Sequence, residues 1–167
     1  METKPGTKEN LLNVARKEFL EKGYQGASLR TICQKANVTT GALYFFFANK
    51  EDLFSQVIGD VLDQFENILF HQELDDSQSI RDFLCQHTKE MYLILFATEG
   101  THFAYLVDDF CSILEKHLQE YLHNEDEQWI HILAEMKLKG YAEILTKAKD
   151  NERRMELMDK LNLFYGC

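Results

Sequence analysis

A short segment near the N-terminus holds the residues best suited to contact a nucleic acid. Residues 28–44 have the sequence Ser-Leu-Arg-Thr-Ile-Cys-Gln-Lys-Ala-Asn-Val-Thr-Thr-Gly-Ala-Leu-Tyr. This pattern predicts two short helices, residues 29–36 and 40–47, joined by a tight turn at Asn37 and Val38. The second helix begins with small residues, so its N-terminus fits a DNA major groove about 12 Å wide. The segment therefore predicts a helix-turn-helix that docks on duplex DNA.

Charge is divided unequally along the chain. The formal net charge is −10, which on its own disfavours DNA binding because phosphates require Lys and Arg. Residues 1–50 hold eight basic and four acidic side chains, so this part is +4 and the remainder is −14. A basic head and an acidic body would orient an encounter with DNA as well as strengthen it.

The elements that must position this segment are predicted to be helices throughout. The 167 residues include one proline and eight glycines, a composition that long helices tolerate and that sandwiches or barrels do not. Apolar spacing predicts a first helix at 7–22, closed by a left-handed Gly23, and a long fourth helix from Lys50 to about His71. Further helices are predicted at 79–98, 102–123, 125–150 and 152–165. We therefore expect an all-α chain with a three-helix head at 1–50 and a helical body at 51–167.

Composition also argues against several classes of protein. No apolar run approaches the ~20 residues that span a bilayer, and the polar N-terminus lacks a signal peptide, so a cytoplasmic protein with no membrane partner is expected. Neither a nucleophilic triad nor a phosphate loop nor a dinucleotide fingerprint occurs, so no catalytic residue and no cofactor is predicted. Widely separated cysteines predict reduced structural thiols and no metal site; they are Cys33, Cys85, Cys111 and Cys167.

The run at residues 40–53 is the most specific motif of the chain. Its sequence is Thr-Gly-Ala-Leu-Tyr-Phe-Phe-Phe-Ala-Asn-Lys-Glu-Asp-Leu. It is preceded by matching positions in the first two predicted helices, namely Ala15, Phe19, Gly23, Tyr24, Ser28, Arg30, Ile32, Ala36 and Val38. Together these residues resemble the DNA-binding domain of the TetR family of bacterial repressors, over about the first third of the chain.

This resemblance implies a ligand-responsive transcriptional repressor whose DNA contacts fall on eight residues. The positions that in relatives reach base edges or their margins are Arg30, Thr40, Gly41 and Tyr44. The positions where relatives hold phosphates are Ser28, Thr39, Phe45 and Lys50. One position departs from the family, since relatives often have a phosphate-binding histidine where this chain has Phe46. Aromatic residues at 44 and 45 are also typical of a helix core.

The resemblance further implies a homodimer on a palindromic operator. Two recognition helices spaced near one turn of DNA, about 34 Å, contact more base pairs than one helix does. The family usually pairs through its last two long helices. Residues 152–165 match only the beginning of that region, so the chain is expected to be short at its C-terminus.

Relatives also hold a small-molecule pocket in the body, and ligand binding there changes the separation of the two heads. Met and aromatic side chains make adaptable apolar walls, so an unidentified small apolar or amphipathic ligand is expected. The same residues at helical spacing are typical of an ordinary core. The candidate lining residues are Phe65, Phe83, His87, Met91, Tyr92, Phe96, Phe103, Phe110 and Trp129.

Two functions of other classes stay open at this point. A chain with this head could have lost DNA binding and act as a helical small-molecule-binding or interaction protein. A more remote alternative is a carboxylate–histidine metal enzyme, since Glu-x-x-His strings on separate helices hold di-iron centres in four-helix proteins. Two such strings occur, at residues 99–102 and 120–123.

Overall fold

The computed structural model describes residues 6–71 and 77–166, which form nine α-helices and one 3-10 turn. The prediction of an all-α chain is confirmed. In chain order the helices are α1 (Thr7–Gly26), α2 (Leu29–Ala36), α3 (Thr40–Phe46), α4 (Lys50–His71), α5 (Ser77–Gln86), α6 (Thr88–Phe96), the 3-10 turn (His102–Ala104), α7 (Tyr105–Tyr121), α8 (Glu127–Lys147) and α9 (Asn151–Phe164).

The first three helices close around one apolar core. Leu11 and Phe19 of α1 are fully buried together with Ile32 of α2 and Leu43 of α3. These residues recur at the spacing of one helix face, so each helix turns a single stripe toward the others. Phe54, on the first turns of α4, joins the same core through an edge-on contact with Phe19, with 5.0 Å between ring centroids.

The turn between α2 and α3 has the geometry that its residues predict. Asn37 ends α2 in the left-handed conformation, with φ of 56°, and its N–H donates to the carbonyl groups at the end of α2. Thr39 caps α3, because its hydroxyl oxygen accepts a hydrogen bond from the N–H of Ala42 at 3.1 Å. The predicted helix at 29–36 is confirmed, and α3 ends one residue before its predicted end.

Two glycines break helical geometry inside longer helices. Gly23 has φ of 67°, as expected of the residue that closes the first helix, but another helical turn follows it and α1 reaches Gly26. Gly59 has φ of 49° and ψ of −141° and divides α4 into two segments. The apolar stripe predicts no such break, because an isolated glycine is tolerated within a helix.

The body also contains breaks that its apolar spacing does not predict. The single helix expected at 79–98 is two helices, because His87, with φ of −109° and ψ of 37°, separates α5 from α6. The helix expected at 102–123 begins as the 3-10 turn. Helix α6 packs against α1, α4, α7 and α8, and its Met91 and Leu93 are fully buried. It therefore lies at the centre of the body and also touches the head.

The last two helices form an antiparallel pair. A short connection joins α8 to α9, and the Tyr141 hydroxyl donates a buried hydrogen bond of 2.8 Å to Asn162 Oδ1 across the pair. The structure thus has helices close to both predicted ranges, 125–150 and 152–165. In the parts of the chain at 6–71 and 77–166, no helix is long and apolar enough to cross a membrane.

Candidate nucleic-acid interface

Helix α3 separates its aromatic residues into a buried and an exposed set. Leu43 and Phe47, four residues apart, are buried at 0% and 1% exposure. Tyr44 and Phe45 lie on the other side of the helix and are 57% and 82% exposed. Phe46 is partly buried and contacts Phe45 edge-on, with 5.0 Å between ring centroids. The helix thus presents two adjacent aromatic rings to solvent, and exposed apolar surface of this kind marks binding sites.

The residues at the starts of α3 and α2 are open to solvent. Thr39, Thr40 and Gly41, at the start of α3, are all exposed, so the backbone of this end is open to a large partner. At the start of α2, Ser28 makes no capping hydrogen bond with its side chain, and Arg30 is exposed. The first turn of α2 contains no acidic residue, so no carboxylate there opposes a phosphate.

Lys50, the predicted phosphate ligand, has partners within the protein. Its Nζ donates a hydrogen bond of 3.2 Å to the carbonyl oxygen of Gln25 and lies 4.5 Å from the ring centroid of Tyr24. Burial lowers the pKa of this ammonium group. Lys50 therefore ties the start of α4 to the end of α1. Sequence reasoning missed this contact, because the two segments are 25 residues apart.

Some basic residues of the head form ion pairs with acidic residues of the same chain. The carboxylate of Glu18 is fully buried and accepts hydrogen bonds of 2.7 Å from both Lys22 and Lys35. Arg16 lies 3.3 Å from Glu90 of α6, measured between Nε and Oε1. Three of the eight basic residues counted in the head thus face acids of this chain. Of these pairs, only that of Arg16 with Glu90 lowers the charge of the head below +4, because Glu18 is already counted in that value.

The structure places the eight predicted DNA-contact residues on three neighbouring elements. Seven of them are exposed and Lys50 is partly buried. The start of α2 provides Ser28 and Arg30, the start of α4 provides Lys50, and the other five belong to α3 and its cap. The exposed seven are Ser28, Arg30, Thr39, Thr40, Gly41, Tyr44 and Phe45.

The nine residues predicted to line a ligand pocket lie in several places. Phe65 is buried between Phe83 and Phe110, at 6.3 Å and 5.6 Å between ring centroids, and His87 lies 4.7 Å from Phe83. This group, which we term the aromatic cluster (Phe65, Phe83, His87 and Phe110), joins α4, α5 and α7. Buried Met91 belongs to α6, at the centre of the body.

The remaining predicted pocket residues lie outside the aromatic cluster. Tyr92 and Phe96 contact each other at 5.6 Å between ring centroids and line a cleft of about 340 Å³ between α6 and the end of α1. Phe103 packs against Phe54, and Trp129 is exposed on α8. The sequence grouped these nine residues only by the chemical type of their side chains. In the structure they lie in several separate places.

Neither Glu-x-x-His string lies within one continuous α-helix. The string at 99–102 crosses Gly100, whose φ is 85°, and ends at the 3-10 turn. There His102 donates hydrogen bonds of 2.8 Å to Glu51, from its backbone N–H and at Nδ1. The string at 120–123 begins in α7 and ends beyond it, at His123. The helical arrangement on which the di-iron alternative depends is therefore absent from both strings.

The head is similar to known proteins. Residues 11–57 match the family model described as bacterial regulatory proteins, tetR family. The chain is similar to the transposon Tn10 TetC protein of Escherichia coli, with 51% identity over 49 residues that cover 29% of this chain and 25% of that protein. It is also similar to the HTH-type transcriptional repressor BepR of Brucella suis, with 43% identity over 53 residues that cover 32% and 25%. The chain thus spans about a quarter of the length of these curated relatives.

The fold of the whole chain also has known counterparts. A TetR family transcriptional regulator from Chloroflexus aurantiacus superposes with a TM-score of 0.60 at 14% identity, covering 98% of this chain and 92% of that chain. The fold of head and body together is therefore shared with a solved structure, at low sequence identity.

Proposed function

We propose that this chain, whose residues 11–57 are the N-terminal helix-turn-helix domain of the tetR family of bacterial regulatory proteins, is a transcriptional regulator that binds a palindromic DNA operator as a homodimer. The observation that carries this proposal is the exposed side of α3, where Tyr44 and Phe45 face solvent while Leu43 and Phe47 hold the helix in the core. In this function α3 enters the major groove and the start of α2 lies along the phosphates.

The chemistry of the exposed residues suits this arrangement. Thr40 and Gly41 let the start of α3 approach base edges closely, and the ring of Tyr44 offers both an apolar face and a hydroxyl. Ser28 supplies a hydroxyl of the kind that binds phosphate oxygens, and Arg30 supplies a cation that reaches base edges or their margins. The acidic body, which carries −14 by formal charge, turns the head toward the DNA.

A second copy of this chain is the proposed partner of α8 and α9. Trp129, Ile132 and Met136 recur at three- and four-residue spacing on α8 and are 43%, 41% and 53% exposed. Leu163 and Phe164 near the end of α9 are 77% and 79% exposed. Apolar surface of this extent on adjacent helices is typical of a dimer interface, and pairing of two copies positions two α3 helices for a palindrome.

A small apolar or amphipathic ligand is the proposed effector that releases the DNA. The contacts between α1 and α6 support this proposal, because they join the head to the central helix of the body. The backbone N–H of Tyr24 donates a hydrogen bond of 3.1 Å to the carbonyl of Ala97, and Arg16 pairs with Glu90. A ligand at the aromatic cluster that favours one position of α6 therefore favours one position of α1, which is all that release requires.

The proposal is tested by selecting bound sequences from a random duplex-DNA library with the full chain. We expect enrichment of a palindrome whose half-sites lie about one helical turn apart. No enrichment from protein shown to be folded would contradict DNA binding and would favour the alternative of a helical small-molecule-binding or interaction protein.

The dimer is tested separately by sedimentation of two variants. Ile132→Asp places a charge in the exposed α8 face and should give a monomer. Phe45→Asp places the same charge on the more exposed α3 position and should leave the dimer intact. A monomeric wild-type chain, or equal effects of the two variants, would contradict pairing through α8 and α9.

A further inference from the structure

Four side chains on α7 and α8 face one another with the donor atoms of a transition-metal site. Cys111 and Glu115 are four residues apart on α7, and His131 and Glu135 are four residues apart on α8, so each pair lies on one face of its helix. One donor atom from each of Cys111, Glu115 and His131 lies within 4.8 Å of the other two. None of these four residues belongs to α3, to the aromatic cluster or to the exposed apolar residues of α8.

The separations between these donor atoms suit a tetrahedral ion. Cys111 Sγ lies 3.3 Å from Glu135 Oε1 and 3.9 Å from Glu115 Oε1, and His131 Nδ1 lies 2.6 Å from the same Glu115 oxygen. Zinc binds sulfur at about 2.3 Å and nitrogen or oxygen at about 2.0–2.2 Å, so donors around it lie roughly 3.3–3.8 Å apart. The ligand atoms of Cys111, Glu115 and His131 already converge, whereas Glu135 lies outside that group of three and must move to become a ligand.

The electrostatics of the group favour a cation. Cys111 is buried, and both carboxylates approach its thiol. Two carboxylates thus converge on a thiol and an imidazole, which leaves negative potential for a bound ion to neutralise.

We propose that Cys111, Glu115 and His131 bind a divalent transition-metal ion of the zinc type, with Glu135 as the fourth ligand, and that the ion clamps α7 to α8. A thiolate with an imidazole selects such an ion over magnesium or calcium, which prefer oxygen ligands alone. On binding, the Cys111 thiol gives its proton to the solvent and its sulfur bonds to the metal. One thiolate, two carboxylates and a neutral imidazole around a dication then carry a net charge of −1.

The position of the group allows an ion to enter. His131 is 60% exposed and Glu115 is 30% exposed by side chain, whereas the sulfur lies beneath them in the interface of the two helices. The site therefore has an open outer side and a buried anchor. The spacing of the cysteines predicts no metal site because the ligands come from two helices and only one of them is a cysteine.

Cobalt is the direct probe of this site, because it takes the place of zinc and reports its ligands by absorption. The metal-free full chain is titrated with Co²⁺. We expect one equivalent to bind, with a thiolate-to-cobalt charge-transfer band and the strong visible bands of a tetrahedral site, and Zn²⁺ to abolish both. Cys111→Ser should remove the charge-transfer band, and His131→Ala should weaken binding about tenfold or more.

Matched controls separate ligation from general effects. Cys85→Ser removes another buried thiol, and His123→Ala removes another exposed imidazole; both should bind Co²⁺ like the wild type. If Cys111→Ser does not fold, His131→Ala still tests the site, because replacing the exposed side chain of His131 should not prevent folding. Zn²⁺ should raise the melting temperature of the wild type more than that of His131→Ala.

Each contrary result overturns the proposal. Folded wild-type protein without tetrahedral Co²⁺ bands has no such site. Retention of the charge-transfer band in Cys111→Ser would mean that another thiol is the ligand. Unchanged affinity in His131→Ala would exclude the histidine. None of these results depends on DNA binding, so the proposed function and the metal site fail independently.

Discussion

Glu18 of α1 and Lys35 of α2 form an ion pair across the first two helices, with 2.7 Å between Oε2 and Nζ. Lys22 holds the other carboxylate oxygen at the same distance. The carboxylate is fully buried, while both lysines keep 44% of their side chains exposed. Each cation therefore reaches into the head from solvent, and the bond of Lys35 joins α2 to α1.

Glu18→Gln should lower the free energy of unfolding by about 1–3 kcal/mol, because it weakens two hydrogen bonds to a buried charged group. Urea denaturation of the full chain measures this change. The control is Glu21→Gln on the same helix, whose carboxylate lies 3.5 Å from Lys35 but is 62% exposed. That variant should lose less than about 0.5 kcal/mol. Equal losses would mean that burial of Glu18 is irrelevant to its contribution.

Acid should remove the contribution of Glu18. The hydrogen bonds from Lys22 and then Lys35 lower the pKa of this carboxyl group below its usual value of 4.5. When folding lowers the pKa of a carboxyl group, the stabilisation is fully present at pH values above the unfolded-state pKa. It is lost as the pH falls through the folded-state pKa. The stability difference between the wild type and Glu18→Gln should therefore shrink as the pH falls below about 4.5. A difference that stays constant into strong acid would contradict this assignment.

Tyr44→Ala should weaken operator binding by about 1–3 kcal/mol, which is roughly 5- to 150-fold, and should relax sequence preference. Binding to the selected operator and to scrambled duplexes measures both effects. Tyr121→Ala is the matched control, since Tyr121 is 58% exposed against 57% for Tyr44 but lies on α7. Comparable losses in the two variants would remove Tyr44 from the interface.

Lys50→Ala distinguishes a phosphate contact from an internal one. If Nζ exchanges the Gln25 carbonyl for a phosphate on DNA, the variant should bind all sequences more weakly and the salt slope should fall by about one. Lys149→Ala, with a side chain 79% exposed beyond the end of α8, should change neither. Binding that is unchanged at every salt concentration would leave only the contacts with Gln25 and Tyr24 as the role of Lys50.

Gly59→Ala should destabilise the chain by about 1–2 kcal/mol, because an L side chain is strained at φ of 49°. No atom lies within 4 Å of the added Cβ, so the cost is that of the backbone alone. Gly41→Ala is the control with the opposite sign, since Gly41 lies in a regular helix and alanine there should stabilise by about 0.5–1 kcal/mol. Stabilisation by Gly59→Ala, measured in urea, would show that the break in α4 is absent in solution.

The helix ends of the head could be predicted closely from the sequence, because the residues that begin and end these helices act on their immediate neighbours. Asn37 ends α2 and Thr39 begins α3 through their own backbone and capping preferences, and the structure places these ends where the residues predict. The breaks at Gly59 and His87 could not be predicted in this way. The residues on either side of each break continue an apolar pattern that predicts an unbroken helix, and packing in the body overrides this local preference.

The candidate site was predictable only in part, for a related reason. Helical spacing indicates that Leu43 and Phe47 share one face, which leaves Tyr44 and Phe45 outside, although their contact with DNA stays a prediction. Contacts between distant segments leave no local pattern. Two examples are the hydrogen bond from Lys50 to Gln25 and the approach of Cys111 to Glu135. Both depend on the relative positions of packed helices, which the whole core determines.

The break at Gly59 determines how mechanical force passes through the molecule. An unbroken helix acts as a stiff rod that transmits twist from end to end. Because helical geometry is broken at Gly59, the contacts of α1 with α6, at Tyr24 and Arg16, are a second connection between the body and the head. Gly59 is consequently a suitable junction for chimaeras, because a foreign head grafted at this residue keeps the preceding segment of α4 and, with it, its own core.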